Sequence, residues 1–104
     1  MTSRPIFNNQ NFKYTVNYSA KFKRDYTKSK KQGRDISKFE TVISILATGQ
    51  KLPNKYRNHR LKGDYTKCFE CHIEPDWLLI YEIKDDLLIL TLLHLGSHSD
   101  LFEE

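Results

Sequence analysis

The sequence predicts an α+β fold in the order β-α-α-β-β-β, with a two-helix hairpin packed on one face of a mostly antiparallel sheet. Two observations carry this. Between residues 20 and 47 apolar side chains recur at three- and four-residue steps, the period of a helix. From residue 60 onward that period vanishes, and apolar residues alternate or run together as they do in strands. The 104 residues allow one core and leave no room for two. Their 38% hydrophobic and 12% aromatic content supplies that core and argues against general disorder. The expected organisation is a flexible arm over 1–12 and one domain over 13–104.

Each element has its own signal. In residues 14–19, Tyr14, Val16 and Tyr18 alternate with polar neighbours, a short strand. Residues 20–32 place Phe22 and Tyr26 one turn apart among many Lys and Arg, an amphipathic helix with a basic outer face that Gly33 terminates. Asp35 caps a second helix, whose stripe is Ile36, Phe39, Val42, Ile43 and Leu46 and whose end is Gly49. Residues 50–58 form a basic loop carrying Pro53. Phe69, Cys71 and Ile73 then alternate with Cys68, Glu70 and His72, and Glu74-Pro75-Asp76 breaks the run. Trp77 to Ile83 is a second strand of this meander, Lys84-Asp85-Asp86 a turn, and Leu87 to Leu95 a third strand, apolar on both faces and therefore central.

Composition narrows the function. The opening MTSRPIFNNQNF has no apolar signal region, and the most apolar stretch is nine residues interrupted by Thr91 and His94. A membrane-spanning helix needs about 20 apolar residues, so the expectation is a cytoplasmic protein with no membrane association. The net charge of +4 hides a split. Residues 1–67 hold 16 of the 17 basic residues against 4 acidic ones, a net +12, while residues 68–104 hold Lys84 against 9 acidic residues, a net −8. Such concentration of positive charge points to an anionic partner, with nucleic acid first.

Cys68-Phe69-Glu70-Cys71-His72 has the letters of a haem-attachment motif, and with His59 it also suggests zinc. Residues three apart on a strand point to opposite faces, so the two thiols do not converge on one metal. Cys71 is expected in the core with Cys68 an incidental neighbour. The histidines are more informative. His72 lies on the face opposite Phe69, Cys71 and Ile73, Asp76 follows at the strand's far end, and His98 comes directly after the last strand. Antiparallel neighbours bring these three together, with His59 in the basic loop. Imidazoles among Lys and Arg suit proton transfer at a phosphodiester. Arg57, Arg60, Lys62 and other cations surround His59, while Trp77 and Phe102 flank the other histidines. Cations hold phosphates and aromatics stack on unpaired bases. For Trp77 core packing is an equal alternative.

Three segments in order resemble the YafQ-like branch of the RelE toxin superfamily. They are His59-Arg60-Leu61-Lys62-Gly63, the run Cys71-His72-Ile73-Glu74-Pro75-Asp76-Trp77, and the ending Leu95-Gly96-Ser97-His98-Ser99-Asp100-Leu101-Phe102. The resemblance runs from about residue 14 to 102. It implies the microbial-ribonuclease-like α+β fold and the toxin of a type II toxin–antitoxin pair. Such a toxin is a small endoribonuclease that enters the ribosomal A site and cleaves mRNA without a metal or other cofactor. The implied partners are a RelB/DinJ-like antitoxin, the ribosome with its 16S rRNA, and mRNA, with operator DNA reached only through the antitoxin. The family's active-site positions correspond to His59, His72, Asp76, Trp77, His98 and Phe102. Its usual Arg two residues before the final Gly is His94 here, so Arg57 or Arg60 is the available substitute for the positive charge.

The expected reaction is attack of the 2′-OH on the adjacent phosphorus. His98 and Asp76 transfer protons, His72 and His59 orient or stabilise the phosphate, and Trp77 and Phe102 position a base. A weakly active or inactive RNA- or antitoxin-binding protein, acting mainly in autoregulation, is the competing expectation.

Overall fold

The computed structural model describes residues 12–62 and 67–102, and for Phe102 only the backbone. The chain runs β1 (Thr15–Tyr18), α1 (Ala20–Lys31), α2 (Ile36–Ala47), a 3₁₀ turn (Asn54–Tyr56), β2 (His59–Arg60), β3 (Cys68–Glu74), β4 (Trp77–Lys84), β5 (Ile89–Gly96) and α3 (His98–Phe102). The strands form one sheet in the order β1-β5-β4-β3-β2. β1 runs parallel to β5, and every other pair is antiparallel.

Local chemistry starts and stops the long helices. The Ser19 hydroxyl accepts from the Phe22 amide, and the Asp35 carboxylate from the Ser37 amide, each satisfying an orphan donor of a first turn. Gly33 and Gly49 lie at φ of 81° and 84°, the left-handed geometry that closes a helix. Phe22, Tyr26 and Phe39 then lock the hairpin, with ring centroids 5.8 Å apart for Phe22–Phe39 and 5.5 Å for Tyr26–Phe39. The helices cover one sheet face, where Cys71, Ile73, Trp77, Leu79, Tyr81, Leu90, Leu92 and Leu95 are buried with Phe22, Phe39, Val42, Ile43 and Leu46. Among the described residues, no helix is long and apolar enough to cross a membrane.

The structure corrects several boundaries. Leu87 and Leu88 belong to the turn before β5, not to the strand, and are 59% and 46% exposed. The arm expected over 1–12 lies outside the described residues except for Phe12, which packs against the core. Two elements were not anticipated. β2 is two residues long, too short for any periodicity to register, and α3 is a single short turn of five residues. α3 nevertheless carries a legible signal. Ser97 and Asp100 form a reciprocal capping box: the Ser97 amide donates to Asp100 Oδ2, and the Asp100 amide to Ser97 Oγ, both at 3.1 Å. A side chain on Gly96 would place its Cβ 2.9 Å from the Asp100 Cβ, so the close approach of α3 to the strand end requires glycine.

One irregularity decides which residues face the functional side. Leu92 pairs with Tyr81 and His94 with Ile80, leaving Leu93 as an extra residue. This β-bulge shifts the alternation by one. Without it Leu93 would oppose Ile80 and His94 would turn toward the helices. The bulge is held from α1 and its cap. Ser19 Oγ donates to the Leu93 carbonyl at 3.0 Å, and the buried Asp25 carboxylate accepts from the Leu95 amide at 3.0 Å. The run of apolar residues on both faces of β5 is the sequence trace of this shift.

Candidate active site

Directly paired antiparallel residues present their side chains to the same face. The register therefore lays the polar side of the sheet out in rows. His59 pairs with Glu70, Glu70 with Ile80, and Ile80 with His94. The next row runs from His72 through Leu78 to Gly96. Beyond it, the β3–β4 turn supplies Asp76 and the start of α3 supplies His98.

Two imidazole–carboxylate assemblies result. In the first, Glu70 Oε1 lies 2.9 Å from His59 Nε2 and 3.5 Å from His72 Nε2. Glu70 is only 5% exposed. A buried carboxylate needs such partners, and no buried polar side-chain atom among the described residues lacks one. His72 Nδ1 lies 3.4 Å from the Pro75 carbonyl, an acceptor that helps orient the ring. In the second assembly, Asp76 Oδ1 lies 2.9 Å from His98 Nδ1 and accepts from the His98 amide at 3.0 Å. The His98 backbone N–H, then its ring, and more weakly Arg34 hold the Asp76 carboxyl below its ordinary range. The assemblies adjoin, with the His72 and His98 rings 5.8 Å apart and those of His59 and His72 6.5 Å apart. His59, Asp76 and His98 are exposed, so the face is open to a large substrate.

The expected proton-transfer pair, Asp76 and His98, thus stands together with the two expected phosphate-orienting residues, His59 and His72. Sequence reasoning missed Glu70, the carboxylate that joins His59 to His72. The available signal was the strand alternation that puts Glu70 and His72 on one face of β3. His59, Glu70 and His72 also bring three ligand atoms within 4.8 Å of one another, a set able to hold a transition-metal ion.

The other expected residues divide. Trp77 is not a stacking platform. It is fully buried, its Nε1 donates to Ser29 Oγ at 3.2 Å, and the Arg34 guanidinium lies 5.6 Å from its ring centre. A base has no route to it. Arg60 is also corrected: it follows His59 on β2 and therefore points to the opposite face, 4.8 Å over the Phe69 ring. His94 lies on the functional face but two strands from Glu70, partly buried. Burial, then nearby Lys21, pushes its imidazole below the usual histidine range, which removes it as a permanent cation. Arg57 and Lys62 are exposed beside His59. The Phe102 side chain and Gly63 lie outside the described residues.

Cys71 is buried and its thiol is pushed up to about 12, by burial first and the Glu70 charge second; Cys68 is half-buried. Both match the expectation of core and bystander.

The same architecture occurs in known proteins. A family described as the bacterial toxin of type II toxin–antitoxin systems, YafQ, matches residues 14–103. The mRNA interferase toxin YafQ of Escherichia coli K12 is 32% identical over 88 residues, covering 84% of this chain and 94% of the relative. In the crystal structure of the E. coli DinJ–YafQ toxin–antitoxin complex, one chain superimposes with a TM-score of 0.80 at 30% identity, over 86% of this chain and 98% of that one. A metal-bound toxin from Helicobacter pylori gives 0.81 at 44% identity, over 86% and 99%. The match spans every motif of the histidine face and the whole described sheet, and the chain belongs to the YafQ family of type II toxin–antitoxin toxins.

Proposed function

We propose that this toxin is a ribosome-dependent endoribonuclease that cleaves mRNA in the A site, in the cytoplasm, and that a RelB/DinJ-like antitoxin restrains it. Operator DNA is met only through that antitoxin. The supporting observation is the pair of adjoining imidazole–carboxylate assemblies on one open face, joined across 5.8 Å between His72 and His98.

RNA brings its own nucleophile. One station removes the 2′-OH proton as the O2′–P bond forms. The other delivers a proton to the 5′-oxygen as the P–O5′ bond breaks. The products are a 2′,3′-cyclic phosphate and a 5′-OH. His98 is one station, and Asp76, kept ionised by its contacts, orients its ring and balances charge on it. His72, braced by Glu70 and the Pro75 carbonyl, takes the place first expected of Asp76 as the other station, and His59 extends it toward the phosphate. Lys62 and the lysines of α1 supply counter-charge for ribosomal RNA.

The reading is metal-independent. A transition-metal ion would be held by His59, Glu70 and His72, and would there supply Lewis acidity. It would also occupy the lone pairs that this reading uses for proton transfer. The chelator EDTA should leave cleavage unchanged, and added zinc or copper should inhibit it. The test is 3′-end analysis of mRNA from translating ribosomes exposed to the toxin in EDTA. Cyclic phosphate ends from the wild type, and a loss of about 10²–10⁴-fold for His98→Ala, are expected. Normal cutting by His98→Ala, or no cutting by the wild type, would sink the proposal; the second result favours a toxin acting mainly by binding.

A further inference from the structure

Next to His72, past the last β2–β3 pair, lies a cavity of about 260 Å³. Lys55 and Tyr56 of the 3₁₀ turn and Arg57 directly after it line it, together with Ile73 and Pro75 and with Lys38 of α2. His72 forms one wall, so an occupant of the cavity lies against the proton-transfer groups.

Its charge is available to a ligand. Among the described residues, neither Lys55 nor Arg57 has a carboxylate partner, whereas Lys38 is held by Glu74 at 3.0 Å. The Lys55 ammonium lies instead 5.1 Å from the Tyr56 ring centre. The turn is also fixed. Tyr56 packs against the core, the Arg57 amide donates to the Asn54 carbonyl at 2.9 Å, and the buried Tyr81 hydroxyl donates to Asn58. Arg57 itself sits at φ of 51°, a left-handed conformation that residues of its type rarely adopt. Such strain concentrates where a side chain must be aimed. At the β5 side of the functional face His94 is half-buried, and the neighbouring Lys21 is already held by Asp25 at 2.6 Å.

We propose that this cavity is a nucleotide subsite, in which Arg57 and Lys55 grip a phosphate neighbouring the scissile one and the Tyr56 ring packs on that nucleotide's base. This rests on the RNA-cleavage reading and adds to it where the strand lies: along the β3 edge, from the 3₁₀ turn across His72 to His98. The positive charge then comes from the turn before β2 rather than from β5.

The test is fluorescence anisotropy with a labelled 2′-O-methyl RNA trinucleotide, which lacks a free nucleophile and reports binding alone. Arg57→Gly suits the backbone, since glycine adopts positive φ freely. It should weaken binding about tenfold and reduce the slope of log Kd against log salt by about 0.7, one phosphate contact. Arg57→Lys should restore most of that slope. Tyr56→Leu, which keeps apolar packing, should weaken binding about tenfold with the slope unchanged. Wild-type binding by Arg57→Gly and Tyr56→Leu, or no binding by the wild type, overturns the subsite. If the wild type cleaves RNA while these variants bind normally, only the subsite fails. If the wild type binds in this pattern but never cleaves, only the nuclease reading fails.

Discussion

Asp76 and Trp77 are neighbours in the chain and belong to opposite sides of the sheet. Asp76 is exposed and tied to His98; Trp77 is sealed among the helices with its indole N–H on Ser29. The same division holds for His72 beside Cys71 and Ile73, and for His59 beside Arg60. One face spends its side chains on packing, and the other leaves titratable groups within reach of a polymer. A motif written as consecutive letters therefore mixes two kinds of residue. Belonging to the motif does not put Trp77 on the histidine face, and Glu70, one residue outside the run that begins at Cys71, joins His59 and His72 there.

Substitutions on either face separate the two roles. The largest effect is expected on the packed face. Trp77→Ala should cost about 3–5 kcal/mol, because it opens a cavity in a small core. Chemical denaturation reads this directly, and a change below 1 kcal/mol would mean the indole is not core. Next comes the link between the faces. Asp25→Ala leaves the Leu95 amide without its acceptor and frees the bulge, at a cost of about 1–3 kcal/mol. The resonances of His94 should move most in its NMR spectrum, and an unchanged His94 would detach the bulge from Asp25.

A smaller effect belongs to Asp76. Its folded carboxyl is held below the ordinary value of about 3.9, so the stability it contributes is present above that pH and is lost as pH falls through the folded value. The difference in melting temperature between wild type and Asp76→Asn should be present near pH 5 and shrink below pH 4. A difference that instead grew toward low pH would reverse the assignment. The smallest effect is chemical. Iodoacetamide at neutral pH should label Cys68 well before Cys71, whose thiol is buried and pushed up to about 12; equal labelling would place Cys71 outside the core.

Most of the fold was legible because its helices carry both period and caps. Asp35, Gly33 and Gly49 all act where the sequence places them, while Ser19, read as the end of a strand, caps the first helix. The strand alternation through Phe69, Cys71 and Ile73 also sorted the faces of β3 correctly, and with them the histidine side. What stayed hidden depends on register. Periodicity along one strand does not say that His59 pairs with Glu70, nor that Leu93 bulges out and so turns His94 to the functional face. Trp77 shows the same limit: its bulk and its position at a strand start fit a base platform or a core residue equally, and only the helices above it decide.

Packing and the proposed chemistry occupy opposite faces of one sheet. The most direct test of this division is a paired measurement, urea unfolding and RNA cleavage, on His98→Ala and Trp77→Phe. His98→Ala gives up only an exposed pair with Asp76, so it should lose less stability than Trp77→Phe, and it should lose about 10²–10⁴-fold in cleavage. Trp77→Phe should lose about 1–3 kcal/mol of stability and, while folded, cleave within about threefold of the wild type. A folded Trp77→Phe protein that has lost cleavage as severely as His98→Ala would contradict the division and return the indole to the active site.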